Sequence, residues 1–172
     1  MPHIQSLKLA EDGPREALIA WWQGLEEDKG GRTELRRARS SLEAAFCPAF
    51  HRLRRALRPF GPANPESLAA TARVLAHVRQ DEPQFKLGQR MAQPKDKSQN
   101  AAVSGLRFRR LLKVEDREDL AERLVRVLGL LDHRAGIVDL AQTVYYWGPE
   151  AKKRLAFDYY DHAPDREDPK KA

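Results

Sequence analysis

Apolar side chains recur every three to four residues along most of this chain, the period of a helix buried along one side. A start signal at Asp12-Gly13-Pro14 leads into Leu18, Ile19, Trp21, Trp22 and Leu25 on one face. Gly30-Gly31 is expected to end that element and Thr33 to cap the next, with Leu35, Ala38, Leu42 and Ala45 inward and Arg32, Arg36 and Arg39 outward. Pro48 opens a third helix that buries Phe50, Leu53 and Leu57, and Pro59 with Gly61-Pro62 breaks it. Asn64-Pro65 restarts the chain as cap and first helical residue, ahead of a seam of Leu68, Ala72, Leu75 and Val78. Residues 80–103 are the least regular: a short helical piece over Leu87–Ala92 precedes a polar, proline-containing stretch, Gln93–Asn100, that reads as an exposed loop. A helix around Arg107 follows, and Asp116 caps another in which Leu120, Leu124, Val127, Leu128 and Leu131 face inward. Ile137 to Trp147 gives a further short helix, Gly148-Pro149-Glu150 starts the last, and Asp161–Ala172 reads as a charged tail. There is no convincing strand and no internal repeat. The pattern predicts an all-α fold, a compact helical bundle of about eight or nine helices. It forms a single domain over 1–172, divisible into two small lobes, 13–80 and 104–160, joined by an irregular basic loop region at 81–103.

The helix Leu106–Lys113 carries the most information. At about 100° per residue, Phe108, Leu111 and Leu112 fall on one side, and Arg107, Arg109, Arg110, Lys113 and Arg117 on the other. One face can enter a core while the other offers guanidinium forks that suit phosphate oxygens. The charge map sharpens this. The net charge is +6, but residues 32–117 hold 19 basic against 8 acidic residues, and the remainder 12 against 17. A basic middle between acidic ends makes a directional field rather than a uniformly sticky surface. Arginines outnumber lysines 21 to 10, which favours phosphate contact over solubility alone.

Composition excludes several classes. With 41% hydrophobic and 33% charged residues the chain is a soluble helical protein rather than a disordered one. No apolar run approaches the ~18–20 residues that span a membrane, and Met1–Ala10 lacks a signal-peptide pattern, so a cytoplasmic chain without membrane contact is expected. The single cysteine, Cys47, excludes an internal disulfide framework and reads as a small buried hydrophobe. Five histidines (3, 51, 77, 133 and 162) are scattered, with no metal-ligand spacing, and no glycine-rich phosphate loop is present. The paired acids Glu26-Glu27-Asp28 and Glu115-Asp116 sit at helix ends, where capping accounts for them. Neither a catalytic set nor a cofactor or metal site is expected. Most aromatics fall on apolar seams, with Trp22 or Tyr146 able to show an edge to a partner. A chain that binds nucleic acid mainly through arginine grips the backbone and reads little sequence.

Four motifs in order then identify a family resemblance. They are the Trp21-Trp22 helix; Leu35-Arg36-Arg37 with Pro48-Ala-Phe-His-Arg-Leu53 and Pro59-Phe-Gly61; Phe108-Arg-Arg-Leu-Leu112 followed by Asp116; and Tyr146-Trp147-Gly148 with Phe157-Asp-Tyr-Tyr160. Spread over roughly residues 15–160, they resemble CasB, the small subunit of the type I-E CRISPR surveillance complex Cascade. The resemblance implies an all-α subunit without enzymatic activity or cofactor. It implies that two copies lie along the belly of the complex, against the large subunit and the backbone subunits that hold the CRISPR guide RNA. It further implies a basic track that holds DNA, both target and displaced non-target strands, during R-loop formation. The residues that match basic positions of the family pattern are Arg36, Arg37, Arg52, Arg107, Arg109, Arg110, Arg123, Lys152 and Lys153; the helix reading adds Lys113. Two other classes remain open on the residues alone. A free-standing DNA-binding regulator needs base-reading Asn or Gln among its arginines, and residues 106–117 have none. A scaffold would set its basic faces against acidic protein surfaces.

Overall fold

Nine consecutive residues of one helix, Ser67 to Leu75, are buried, and the rest of the fold is arranged around them. The computed structural model describes residues 6–95 and 99–164. That central helix, α5 (Pro65–Leu75), starts as expected, with the Asn64 side chain accepting from Ser67 N–H at 2.9 Å. Its alanines, Ala69, Ala70 and Ala72, have no bulk to keep neighbours away, so α8 (Arg117–Leu130) and α9 (Ile137–Tyr145) pack directly on it. On its other sides lie α2 (Lys29–Arg37), α3 (Ser41–Ala44) and α4 (Pro48–Leu57), with α1 (Asp12–Gly24) against α4. A 3₁₀ turn at Arg58–Phe60 closes α4 ahead of Gly61. The remaining helices are α6 (Leu87–Ala92), α7 (Gly105–Leu112) and α10 (Pro149–Tyr160), giving ten among the described residues. One contiguous buried cluster runs from Leu7 to Tyr159.

The fold is all-α in substance. Two strands of two residues, Gln80–Asp81 and Arg134–Ala135, pair in parallel and pin the irregular segment after α5 to the turn after α8. Carboxylates continue that work. Asp81 accepts from Ile137 N–H at 2.9 Å, Asp139 accepts from Leu87 N–H at 2.7 Å, and buried Glu82 pairs with Arg90 at 2.6 Å. The polar loop is closed at its base by a Pro94–Ala101 bridge and by Val103 N–H donating to Met91 O; its residues 96–98 lie outside the described residues, as do 1–5 and the tail from 165. Gly88 lets α6 lie flush on α10, because a Cβ there would stand 2.7 Å from Leu155 O.

The second helix differs from the sequence expectation at both ends. Gly30-Gly31 does not end a helix but lies in the first turn of α2, and the cap is Asp28, not Thr33. Asp28 Oδ1 accepts from Gly31 N–H at 3.0 Å, and a Cβ on residue 31 would collide with that carboxylate and sit 3.1 Å from Ala49 Cβ. Glycine is favoured there chiefly by the Asp28 carboxylate that caps the helix, with Ala49 of α4 close behind, and not by a stop. At the other end, Ala38 is extended, with ψ 129°, and its carbonyl accepts from Arg73 Nε at 2.9 Å. Ser40 then caps a new helix, α3, through Glu43 N–H, and the Glu43 carboxylate returns to Arg39 N–H at 2.6 Å. The helix thus breaks before Leu42 and Ala45, and both face solvent rather than the core. Arg32, expected outside, instead donates to Ala76 O and Val78 O and closes the C-terminal end of α5. Trp22 is buried, its indole N–H on Val78 O, while Tyr146 keeps an exposed edge and bonds Leu7 O through its hydroxyl.

Candidate nucleic-acid interface

Ser104 starts α7 by accepting from Arg107 N–H, and Phe108 fixes its roll by stacking on Tyr159 of α10, centroids 3.9 Å apart and planes within 6°. With Phe108 and Leu111 inside, Arg107, Arg109, Arg110 and Lys113 are exposed. Arg117 is not part of that face. Its guanidinium turns inward and donates to Val144 O, Tyr145 O and Trp147 O, at the end of α9 and just beyond it. The exposed charge of this helix therefore comes from four residues rather than five.

Between α7 and α8 opens a groove of about 310 Å³. Arg107 and Arg110 form one rim, Arg123 and Arg126 the other, and Leu111, Val127 and Leu130 the floor. On the far side of α8 a second groove, of about 580 Å³, is walled by Arg36, Arg37 and Arg39 of the α2–α3 segment, and again by Arg126. Arg126 lines both, so the two grooves form one cationic track that crosses α8 at that residue. Glu122 is the one carboxylate among their lining residues. Arg107, Arg110 and Arg126 have no side-chain hydrogen bond or ion pair among the described residues, whereas Arg123 is held by Asp119, 3.1 Å away and one helical turn back.

The α2–α3 wall is positioned from below. Arg73, buried in α5, links the Ala38 carbonyl to Glu118 at 3.2 Å, and Glu118 accepts from the Ser41 hydroxyl at 2.7 Å. This ties the break between α2 and α3 to the first turn of α8 and sets Arg36, Arg37 and Arg39 opposite Arg126. His77 lies in the same wall. Burial first, and then the positive charges of Arg36 and His133, push its imidazole down to about 4, so it is neutral at ordinary pH.

The other sequence-derived positions lie apart from the track. Arg109 and Lys113 are exposed on α7 but do not line either groove. Arg52 faces a shallow groove between α1 and α4 and is ion-paired with Asp28. Lys152 pairs with Glu115 at 2.8 Å and lies over the Trp147 ring, and Lys153 lies over Phe157 of its own helix. Sequence reasoning missed Arg39 and Arg126 as track residues. Arg126 follows Arg123 by three positions on α8, a spacing that signals a shared face.

The acids have structural partners: Asp28 and Asp116 cap α2 and α8. Burial raises the Cys47 thiol above its ordinary range, which is unfavourable for a nucleophile. Among the described residues no group of histidine, cysteine and acidic side chains could hold a metal ion, and no helix is long and apolar enough to cross a membrane.

Comparison with known proteins agrees with the architecture. No curated protein sequence matches the chain. A chain in the crystal structure of E. coli Cascade bound to a PAM-containing dsDNA target superposes with a TM-score of 0.66 at 23% identity, over 88% of this chain and 97% of that one. Residues 31–160 match the family model for CRISPR-associated protein Cse2. That match spans both walls of the arginine track and most of the core beneath it, and on it the chain belongs to the Cse2 family, the CasB small subunits of type I-E Cascade.

Proposed function

We propose that this subunit holds nucleic acid on its arginine track and so favours the opened state of target DNA in a CRISPR RNA-guided complex. The observation that carries the reading is the junction at Arg126, which makes one path of Arg36, Arg37 and Arg39 with Arg107, Arg110 and Arg123. Guide pairing exchanges a DNA duplex for a heteroduplex of similar stability, so the exchange is nearly balanced and protein contacts to the opened strands tip it. Each phosphate neutralised releases condensed counterions, which stabilises the open state in a salt-dependent way. The subunit performs no chemistry of its own, works in the cytoplasm and needs no cofactor. Its partners are target DNA, the displaced non-target strand, guide RNA held by neighbouring subunits, the large and backbone subunits, and a second copy of itself. Arg109 and Lys113 extend the cationic surface beside the track, and Arg52, Lys152 and Lys153 serve other faces.

The test is the double variant Arg107→Ala, Arg110→Ala, assembled into the complex. Target binding should weaken, the salt dependence of a single-strand complex should flatten by about 0.7 per lost phosphate contact, and thermal stability should stay within about 0.5 kcal/mol. Unchanged binding with an unchanged salt slope overturns the track. Loss of subunit assembly with DNA binding intact would mean that the arginines meet protein.

A further inference from the structure

The two grooves differ in a way that phosphate binding does not use. The α7–α8 groove has cations on both rims and an apolar floor, with no carboxylate among its lining residues. Arg107 and Arg110 stand three residues apart on one helix, and Arg123 and Arg126 three apart on the other, so each rim presents two guanidiniums from Cβ atoms about 5–6 Å apart. Leu111, Val127 and Leu130 lie between them, Leu130 half-exposed. Leu111 and Val127 belong to the core, 2% and 7% exposed, so Leu130, partly buried against that core, is the apolar surface the groove offers between its cations.

Resting on the function proposed above, we infer that the α7–α8 groove takes an unpaired nucleobase of a single strand, its flanking phosphates held by Arg107 and Arg110 on one rim and Arg123 and Arg126 on the other, and its face laid on Leu130. A duplex cannot use the floor, since its bases are stacked inside and only its phosphates reach the rims. A single strand can turn one base inward while its backbone bridges the cations, as other single-strand binders combine a basic path with a surface that receives bases. Every nucleobase has an apolar face, so the contact discriminates single strand from duplex without reading sequence. The second groove also has apolar lining, in Ala38, Ala121 and Val125, but it carries the carboxylate of Glu122 beside Arg36, Arg37 and Arg39, which suits it less to a base flanked by two phosphates.

The purified chain is titrated with three fluorescent probes in parallel: an oligothymidylate, a strand of equal length with abasic sugars, and a duplex. The wild-type chain should prefer oligothymidylate over the abasic strand by about fivefold, a modest base contact. Leu130→Ser should remove that preference while leaving the salt slope unchanged, and Leu130→Met, which keeps the apolar surface, should retain it. Arg107→Ala with Arg110→Ala should weaken both single strands together and flatten the slope. Equal wild-type affinity for the two single strands overturns the inference, whatever the variants do, and so does a full preference in folded Leu130→Ser. In either case the track stands so long as the arginine variant loses affinity. If that variant binds all three probes like wild type, the functional reading itself fails.

Discussion

The seam where α5 meets α8 and the track that runs over α8 are both built with arginine, and they use it in opposite ways. In the seam, Arg73 is 5% exposed and its guanidinium is bonded on two sides, to the Ala38 carbonyl and to Glu118. A few residues along the same helix, α8, Arg126 projects into two grooves without a protein partner among the described residues. Arg32 and Arg117 follow the first pattern, closing the ends of α5 and α9, and Arg107 and Arg110 the second. The guanidinium is equally charged in all of them. What separates a binding arginine from a structural one is whether a carbonyl or carboxylate of another element comes within reach, and that is a property of packing. The seam also serves the track, since the bonds of Arg73 fix where α2 stops and hence where Arg36, Arg37 and Arg39 stand.

The sharpest break in this contrast is Arg73→Met. It leaves the Ala38 carbonyl without its guanidinium donor and Glu118, 37% exposed, without its cation, at an expected cost of about 2 kcal/mol. Chemical denaturation should show it as a lower midpoint with an unchanged slope. A loss below about 1 kcal/mol would mean that water replaces the guanidinium and that the seam does not hold the wall. Next in size is Arg117→Met, which removes the donor shared by Val144 O, Tyr145 O and Trp147 O and should cost about 1.5 kcal/mol, with nucleic-acid affinity unchanged. A fall in affinity at constant stability would return Arg117 to the binding face. Arg52→Ala belongs below both. Its pair with Asp28 is about 40% exposed on each side, so the expected loss of stability lies under about 1 kcal/mol, with a smaller effect on nucleic-acid binding than that of Arg107→Ala. An equal effect on binding would place the α1–α4 face on the nucleic-acid path.

How far the sequence could see follows the same division. The starts of α5 and α8 were legible because the signals are local: Asn64-Pro65 and Asp116 sit next to the helices they cap, and the seams behind them are long. The burial of Phe108 and Leu111 was legible for the same reason, and with it the outward turn of Arg107, Arg109 and Arg110. The break at Ala38 was not, because its cause, Arg73, stands 35 residues away. The inward turn of Arg117 was hidden likewise, its acceptors lying 27 to 30 residues downstream on α9 and just beyond it. The spacing of Arg123 and Arg126 marks a shared face of α8, yet only the crossing of α8 between α2 and α7 makes Arg126 the junction. Sequence shows which faces are charged; which of those charges stay free is settled by what packs against them.

The smallest effect expected at neutral pH comes from His77, which stands in the wall of the track but belongs by its environment to the seam. Its folded form resists protonation, with burial the chief cause and Arg36, His133 and Arg73 adding to it, so His77→Gln should change stability at neutral pH by no more than about 0.5 kcal/mol. Acid separates the two. As pH falls from 6.5 toward about 4, the unfolded chain takes up a proton that the folded chain refuses. Stability drains from the wild type across that window and stops falling through this residue once the folded imidazole also protonates. His77→Gln should flatten the curve there, as read by melts at a series of pH values. The capping carboxylate Asp28 acts lower still. The Gly31 N–H bond, with Arg52 adding to it, holds its carboxyl below 3.8, so its contribution is present above that value and is lost only as pH falls through the depressed one. If the variant shows the wild-type slope between 6.5 and 4, a buried neutral His77 is the wrong account of the wall. His77 would then protonate near 6.5 in the folded chain as it does in the unfolded one, and would join Arg36 and Arg126 among the cations of the track only below that pH.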